Sequence, residues 1–292
     1  MTMAGSGKRV PVAKTYKIYI DGKFPRTESG RYFPLEDADG AVIANICRGS
    51  RKDFRNSVVA ARKAFDGWST ATAYLRGQIL YRIAEMLEGR SEQFVAELCL
   101  QGLSKRKARN EVDASIDRLI YYAGWSDKYQ QIFSAVNPVS SSHFNFSVLE
   151  PTGVVAVLAP DDTSLLGLIS NLAPAIVGGN TAVVLASERL PLCAVSFAEV
   201  LHASDVPAGV VNILTGFREE LRGQFASHMD VNAVVYCDGD VDVVRSIQEK
   251  AADNIKRVID RVDSDWSADT AQSPYLIKET QEVKTTWHPI GS

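Results

Sequence analysis

The chain has 292 residues, 46% of them apolar and 23% charged, with a net charge of −3. That balance suits one large folded unit with appendages, and it gives no electrostatic reason to expect nucleic acid or an anionic membrane as a partner. No apolar run approaches the ~20 residues that span a bilayer, and the four widely spaced cysteines (Cys47, Cys99, Cys193, Cys237) form no CxxC pair. Such cysteines read as reduced thiols in a cytoplasmic protein, not as a disulfide framework or a zinc site.

The opening MTMAGSGKRVPVAKTY has basic residues but no apolar h-region. It is expected to be a flexible tail over residues 1–15, not a secretory signal. Residues 17–35 predict two short strands around the turns Asp21-Gly22 and Ser29-Gly30. Four helices follow by apolar spacing: Asp53 to Trp68, Tyr74 to Glu88, one starting near Ser91, and Ala108 to Tyr129. Together residues 16–130 form the hairpin and helices of the first segment. The Ser- and Asn-rich span 131–152 then alternates through HFNFSVLE as an extended segment.

From residue 153 to 262 the texture changes. VVAVLA, TAVVLA, VVNIL and NAVVY are short β-rich runs separated by helical stretches at 164–177, 191–203 and 218–228. Strands alternating with helices predict βαβ units and a parallel sheet. A last helix is expected over about 240–258. Residues 263–292 begin as a polar loop and end in EVKTTWHPIGS, where Val283, Thr285 and Trp287 alternate with polar neighbours. That pattern is a strand with one apolar face, which must pair with a distant segment or with another chain.

The stretch LAPDDTSLLGLISNLAPAIVGGNTAVVLASE, Leu158 to Glu188, has the rhythm of a nucleotide-binding βαβ unit. Its turn lies at the carboxyl end of a parallel strand, where α/β folds bind ligands, and a helix start there suits phosphate. Yet the turn carries Asp161 and Asp162. Either acid can instead cap the following helix. A second acidic turn, Tyr236-Cys237-Asp238-Gly239-Asp240, belongs on the same rim, with Asp240 a natural N-cap. Two unit charges ~5 Å apart cost about 3 kcal/mol at an effective dielectric near 20, so the acids oppose a pyrophosphate. A divalent cation would reverse that sign, but capping accounts for the acids without one, and no metal is expected. Cys237 reads as a small buried thiol. The histidines His143, His202, His228 and His288 are isolated and form no ligand pair.

Several phrases jointly resemble the aldehyde dehydrogenase superfamily. IYIDGKF is similar to its opening hairpin, and VVAARKAFDGWS and LRGQILYRIAEMLEGRSEQF to its early helices. IYYAGWSDKYQ resembles the helix before its bridging strands, and EPTGVVAVLAP, LAPAIVGGNTAVVLASE and ASDVPAGVVNILTG resemble its Rossmann-like half. The resemblance also exposes departures. The family's Pro-Trp-Asn, whose Asn amide stabilises the oxyanion, is here Pro160-Asp161-Asp162. Losing one such donor costs about 3–4 kcal/mol, and Asp162 adds opposing charge. The Lys-Pro-Ser-Glu that holds the adenosine ribose is Leu185-Ala186-Ser187-Glu188. The Gly-Ser-Thr-x-x-Gly turn aligns with Asp238 to Val243 without its glycines, and Glu-Leu-Gly-Gly-Lys is absent near Arg261. The family's catalytic domain, which holds its nucleophilic Cys, should come next. Instead the chain passes from about Val262 to EVKTTWHPIG, which resembles the family's C-terminal oligomerisation strand.

The expected architecture is α/β: a Rossmann-like parallel sheet with flanking helices plus a β-arm of bridging strands. The resemblance implies a degenerate member lacking the catalytic domain, with no catalytic residue and no enzymatic activity on its own. No cofactor is expected, with Pro160, Ser187 and Glu188 as residual cofactor-binding candidates and NAD(P) binding as the alternative. The implied role is a non-catalytic, cytoplasmic subunit that joins a full-length aldehyde dehydrogenase through Val283, Thr285 and Trp287. The alternatives are a component completing a partner's site in NAD(P)-dependent aldehyde oxidation, and a homo-oligomeric scaffold.

Overall fold

The computed structural model describes residues 13–261 and 264–291. Most of the expected tail, residues 1–12, lies outside the described residues. The first part contains strands β1 (Thr15–Tyr16), β2 (Tyr32–Glu36) and β3 (Val42–Cys47), then helices α1 (Arg51–Ser69), α2 (Ala73–Glu88), α3 (Ser91–Leu100), α4 (Lys105–Trp125) and α5 (Tyr129–Phe133). Strands β4 (Ala135–Asn137) and β5 (His143–Pro151) follow. The alternating part runs β6 (Val154–Leu158), α6 (Leu166–Val177), β7 (Thr181–Leu185), α7 (Leu192–His202), β8 (Val211–Leu214), α8 (Arg218–Ser227), β9 (Ala233–Tyr236), α9 (Val241–Ala251) and β10 (Arg257–Asp260). The chain closes with α10 (Tyr275–Lys278) and β11 (Gln281–Pro289).

The central sheet has the order β10-β9-β6-β7-β8, all parallel. Every residue of β6, β7, β8 and β9 is buried, as a sheet covered on both faces requires. β8 would be an edge, but Tyr19 and Ile213 exchange both backbone hydrogen bonds at 2.8 Å, so the N-terminal segment covers it.

The helices lie where apolar spacing places them, with shifted ends. α1 starts at Arg51 because Ser50 and Asp53 form a capping box. Its buried face carries Phe54, Val58, Ala61 and Trp68, and the Trp68 indole N–H donates to the Ile176 carbonyl at 2.9 Å, tying α1 to the end of α6.

The end of the alternating part departs from the sequence expectation. α9 stops at Ala251, not near 258, and a fifth parallel strand follows. The cause is local: Ile255 adopts φ 56°, a left-handed stop, and is 93% exposed, so it cannot continue the helix's apolar face. The polar-looking stretch after 263 is also anchored. Trp266 is 4% exposed and packs into the main core, while buried Arg118 donates to the carbonyls of Trp266 at 3.1 Å and Ala271 at 2.8 Å.

β11 does pair with a distant segment. It runs antiparallel to β5 over nine residues, from Gln281 opposite Pro151 to Pro289 opposite His143, in a separate sheet of order β11-β5-β4.

Candidate functional site: the carboxyl rim of the parallel sheet

β6 has β7 and β8 on one side and β9 and β10 on the other, so the strand order reverses between β6 and β9. In open α/β sheets the crevice at this point, beyond the carboxyl ends of the strands, is where ligands bind. Asp161 follows β6 and Asp238 follows β9, one on each side of it.

A cation that the sequence reading overlooked lies between them. Arg218, the first residue of α8, reaches over the rim. Its Nη1 pairs with Asp238, its Nη2 donates to the Ala159 carbonyl, and its Nε lies 3.7 Å from Asp161 Oδ1. At that separation Nε makes an ion pair without a hydrogen bond, and it remains a buried donor with no acceptor. Its backbone N–H donates to Glu188 at 2.9 Å. One residue therefore joins the ends of β6, β7, β8 and β9. Burial, aided by Asp161 and Asp162, holds the Asp238 carboxyl above its ordinary range against the pull of Arg218.

Asp161 does not cap α6. Its Oδ1 accepts from Ser187 Oγ at 2.8 Å and from the N–H groups of Glu188 at 2.7 Å and Arg189 at 3.1 Å, so it organises the loop after β7. The capping acid is Glu111 of α4. Its Oε1 accepts from the backbone N–H groups of Ser164 at 3.1 Å, Leu165 at 2.9 Å and Leu166 at 3.3 Å. Burial raises the Glu111 carboxyl, and these three donors offset part of that rise. Asp240 does cap α9, accepting from Asp242 at 3.0 Å and Val243 at 3.2 Å.

The structure brings Pro160, Ser187 and Glu188 to one corner of the rim around Asp161. Pro160 packs on the start of α6 so closely that a Cβ at Gly167 would strike its ring. Ser187 is buried and its hydroxyl is committed to Asp161. Asp162 points outward and, with Asp161, Arg189, Asp238, Gly239 and Trp266, helps to line a cavity of about 260 Å³. Cys237 also lines it, but burial pushes its thiol, like that of Cys193, far up, so neither supplies a thiolate near neutrality. Among the described residues, no group of His, Cys, Asp or Glu is arranged to hold a metal ion. None of their helices is long and apolar enough to cross a membrane.

Val283, Thr285 and Trp287 lie elsewhere, on β11. Val283 and Trp287 are each 58% exposed. The Thr285 hydroxyl pairs with Ser147 at 2.8 Å, and Ser147 accepts from Asn137 at 2.9 Å, a polar ladder across the three strands.

Fold and rim together define an α/β protein whose parallel sheet carries a crevice where its strand order reverses. The sequence pattern of the Aldehyde dehydrogenase family matches residues 26–262, and the chain belongs to that family. It is 33% identical over 250 residues to Aldehyde dehydrogenase 1A1 of Homo sapiens, covering 83% of this chain and 49% of that one. It is 30% identical over 283 residues to mitochondrial benzaldehyde dehydrogenase of Antirrhinum majus, covering 94% and 50%. The chain thus spans about half the length of the curated relatives it matches. Among solved structures, an NAD+ complex of aldehyde dehydrogenase from Bacillus cereus superposes with a TM-score of 0.80 at 27% identity, covering 85% of this chain and 51% of that one. Betaine aldehyde dehydrogenase from Staphylococcus aureus in complex with NAD+ gives 0.79 at 25%, covering 83% and 49%.

The expectation of no cofactor is therefore corrected. It rested on a crevice made wholly negative by its aspartates, and Arg218 offsets two of them. Relatives of this fold have been solved holding NAD+. The Glu188 carboxylate, half-buried at the carboxyl end of β7, is a group that fits a ribose hydroxyl.

Proposed function

We propose that this chain is a dinucleotide-holding, non-catalytic subunit of an aldehyde dehydrogenase assembly, cytoplasmic, joined to a full-length enzyme through its arm. The observation that carries the reading is the β11-β5-β4 sheet. β11 returns to pair along the whole of β5, yet its Val283 and Trp287 each stay 58% exposed. Exposed apolar side chains on an edge strand of this length favour an interface. Chemistry supports the non-catalytic part. Cys193 and Cys237 are buried and held as thiols, and Asp162 stands where the family resemblance puts an oxyanion-stabilising amide.

Glu188 is the residue that would hold a ribose of the dinucleotide, which supplies a hydride acceptor when bound. The aldehyde-attacking thiol is assigned to the partner.

Co-expression with a full-length aldehyde dehydrogenase, followed by light scattering and calorimetry with NAD+, tests the proposal. A mixed oligomer that binds NAD+ at both kinds of subunit is expected. A chain that stays monomeric and ignores every full-length relative would overturn it, as would NAD+ reduction by the isolated chain supplied with an aldehyde. A stable oligomer of the chain alone would favour a homo-oligomeric scaffold.

A further inference from the structure

We infer that Glu97 is a proton-operated latch for the N-terminal strand: carrying its proton it seats β1 against α3 and α7, and once ionised it lets β1 lift away. The inference is independent of the function proposed above.

The carboxyl is held from one side only. Three donors converge on its Oε1: Ser196 Oγ at 2.7 Å, the Tyr16 hydroxyl at 3.2 Å and Gln93 Nε2 at 3.3 Å. Its Oε2 is enclosed and finds no hydrogen-bond partner among the described residues, and Glu97 as a whole is 6% exposed. A carboxylate with one bare buried oxygen is costly, and a neutral carboxyl is far less so. Burial accordingly raises Glu97 above the ordinary carboxylate range, and the three donors offset part of that rise.

The elements around Glu97 bring no cation onto Oε2. From β1 come the Tyr16 hydroxyl and Lys14. Lys14 Nζ lies 3.8 Å from Glu199 and 4.2 Å from the centre of the Tyr16 ring, and it favours the ionised form of Glu97 less than the three donors do. Arg90, just before α3, is bonded to Gln93 and to Glu199. From α7 come the Glu199 carboxylate and Cys193, whose thiol burial pushes far up. Burial and Glu97 raise the Tyr16 hydroxyl in the same way. β3 brings Ala44 and Ile46, which carry no charge. Tyr16 and Cys193 therefore keep their protons at pH values where Glu97 loses its own.

β1 is the element that yields. It pairs with β3 over two residues, Thr15 with Asn45 and Tyr16 with Ile46. In contrast, α3 and α7 are fixed in the main core by Phe94, Leu98, Phe197 and Leu201. Moving Tyr16 aside breaks one hydrogen bond to Glu97 and admits water to the carboxyl. The segment runs on to Tyr19, which covers β8, so release of β1 also loosens that cover. The folded chain binds more protons than the unfolded one while Glu97 stays protonated, so the latch is secure at low pH and weakens as pH rises through its folded range.

Amide exchange of residues 15–19 and of Asn45, which donates to the Lys14 carbonyl, tests this on the full chain and its E97Q and K14M variants. Exchange is followed from pH 5 to pH 9 and corrected for its intrinsic pH dependence, alongside 13C titration of the glutamate carboxyls. In the unaltered chain, protection of these amides should fall by up to about tenfold per pH unit above the transition, while that of β6 and β7 holds. In E97Q, whose amide keeps the acceptor and carries no charge, protection should stay flat, and one high-titrating carboxyl should vanish while that of Glu111 persists. K14M, which removes the one cation favouring ionisation, should move the transition to higher pH, and this half-exposed site decides the matter if E97Q does not fold. Protection that is constant with pH in the unaltered chain, or that falls equally in E97Q, overturns the latch. So does a K14M transition that stays in place or moves to lower pH.

Discussion

At the scale of single residues, the rim depends on side chains whose roles are set by partners distant in sequence. Glu111 looks like one more charge on the solvated face of α4, yet it closes the start of α6, 53 to 55 positions away. Asp161 sits where a cap belongs and does something else. Neither outcome was legible, because capping is decided by which carboxylate the tertiary fold delivers to the free N–H groups. Asp240 was legible because its cap is local. Arg218 could have been flagged, since it opens the helix that follows β8 on the carboxyl rim, but spacing alone says nothing of its reach. Lys256 shows a different effect of burial. It is buried at the end of the turn after α9, donates to the His228 carbonyl at 2.7 Å, and burial lowers its ammonium to about 8 from an ordinary 10.5. Between those two values the folded chain binds fewer protons than the unfolded one, so this group's contribution to stability rises as pH climbs through the window and is lost as pH falls back. Lys256→Met should abolish that rise and stabilise the chain at pH 7 by about 1–2 kcal/mol. Urea unfolding at pH 7 and pH 9.5 checks both.

At the scale of elements, regular periodicity translated well. The helices α1 to α4 and the strands β6 to β9 follow from apolar spacing, because buried faces leave a repeating mark. Two elements left none. β10 was missed because the helix expected to about 258 counted Ile255 as part of its apolar face, and Ile255 is instead the left-handed stop that ends it. The segment from 264 to 273 was read as a polar loop, since a single Trp266 cannot announce periodicity. That segment nevertheless joins the core. Trp266 fills a site beside α4 and α6, and Arg118 holds the segment's carbonyls while also donating to Ser170 at 2.5 Å. Trp266→Ala should cost about 3–5 kcal/mol. Limited proteolysis should then cut first within residues 264–273, leaving the parallel sheet protected. Cutting elsewhere at comparable rates would show that the segment is not held by its tryptophan.

At the scale of the whole molecule, the chain joins a well-filled α/β body to an arm whose outer strand β11 is largely exposed. The body was legible because family phrases cover it. The arm's pairing was only half legible: alternation marks β11 as a strand but cannot name β5 as its neighbour. Replacing Val283 with Lys and Trp287 with Glu should lower the unfolding temperature by no more than about 4 °C, since both side chains are already more than half exposed and Trp287 gives up only its edge contact with His143. The same pair should abolish association with a full-length aldehyde dehydrogenase, as read by light scattering of the mixture. Loss of folding instead would mean that the arm is part of the body's stability. The two borders of the central sheet also differ in kind. Tyr19 closes one border by taking both of Ile213's backbone bonds, whereas at the other β10 pairs with β9 and its Arg257 side chain donates to the carbonyls of Glu279 and Gln281. A foreign β-segment can therefore join this sheet beside β8 only by first displacing the chain's own N-terminal segment.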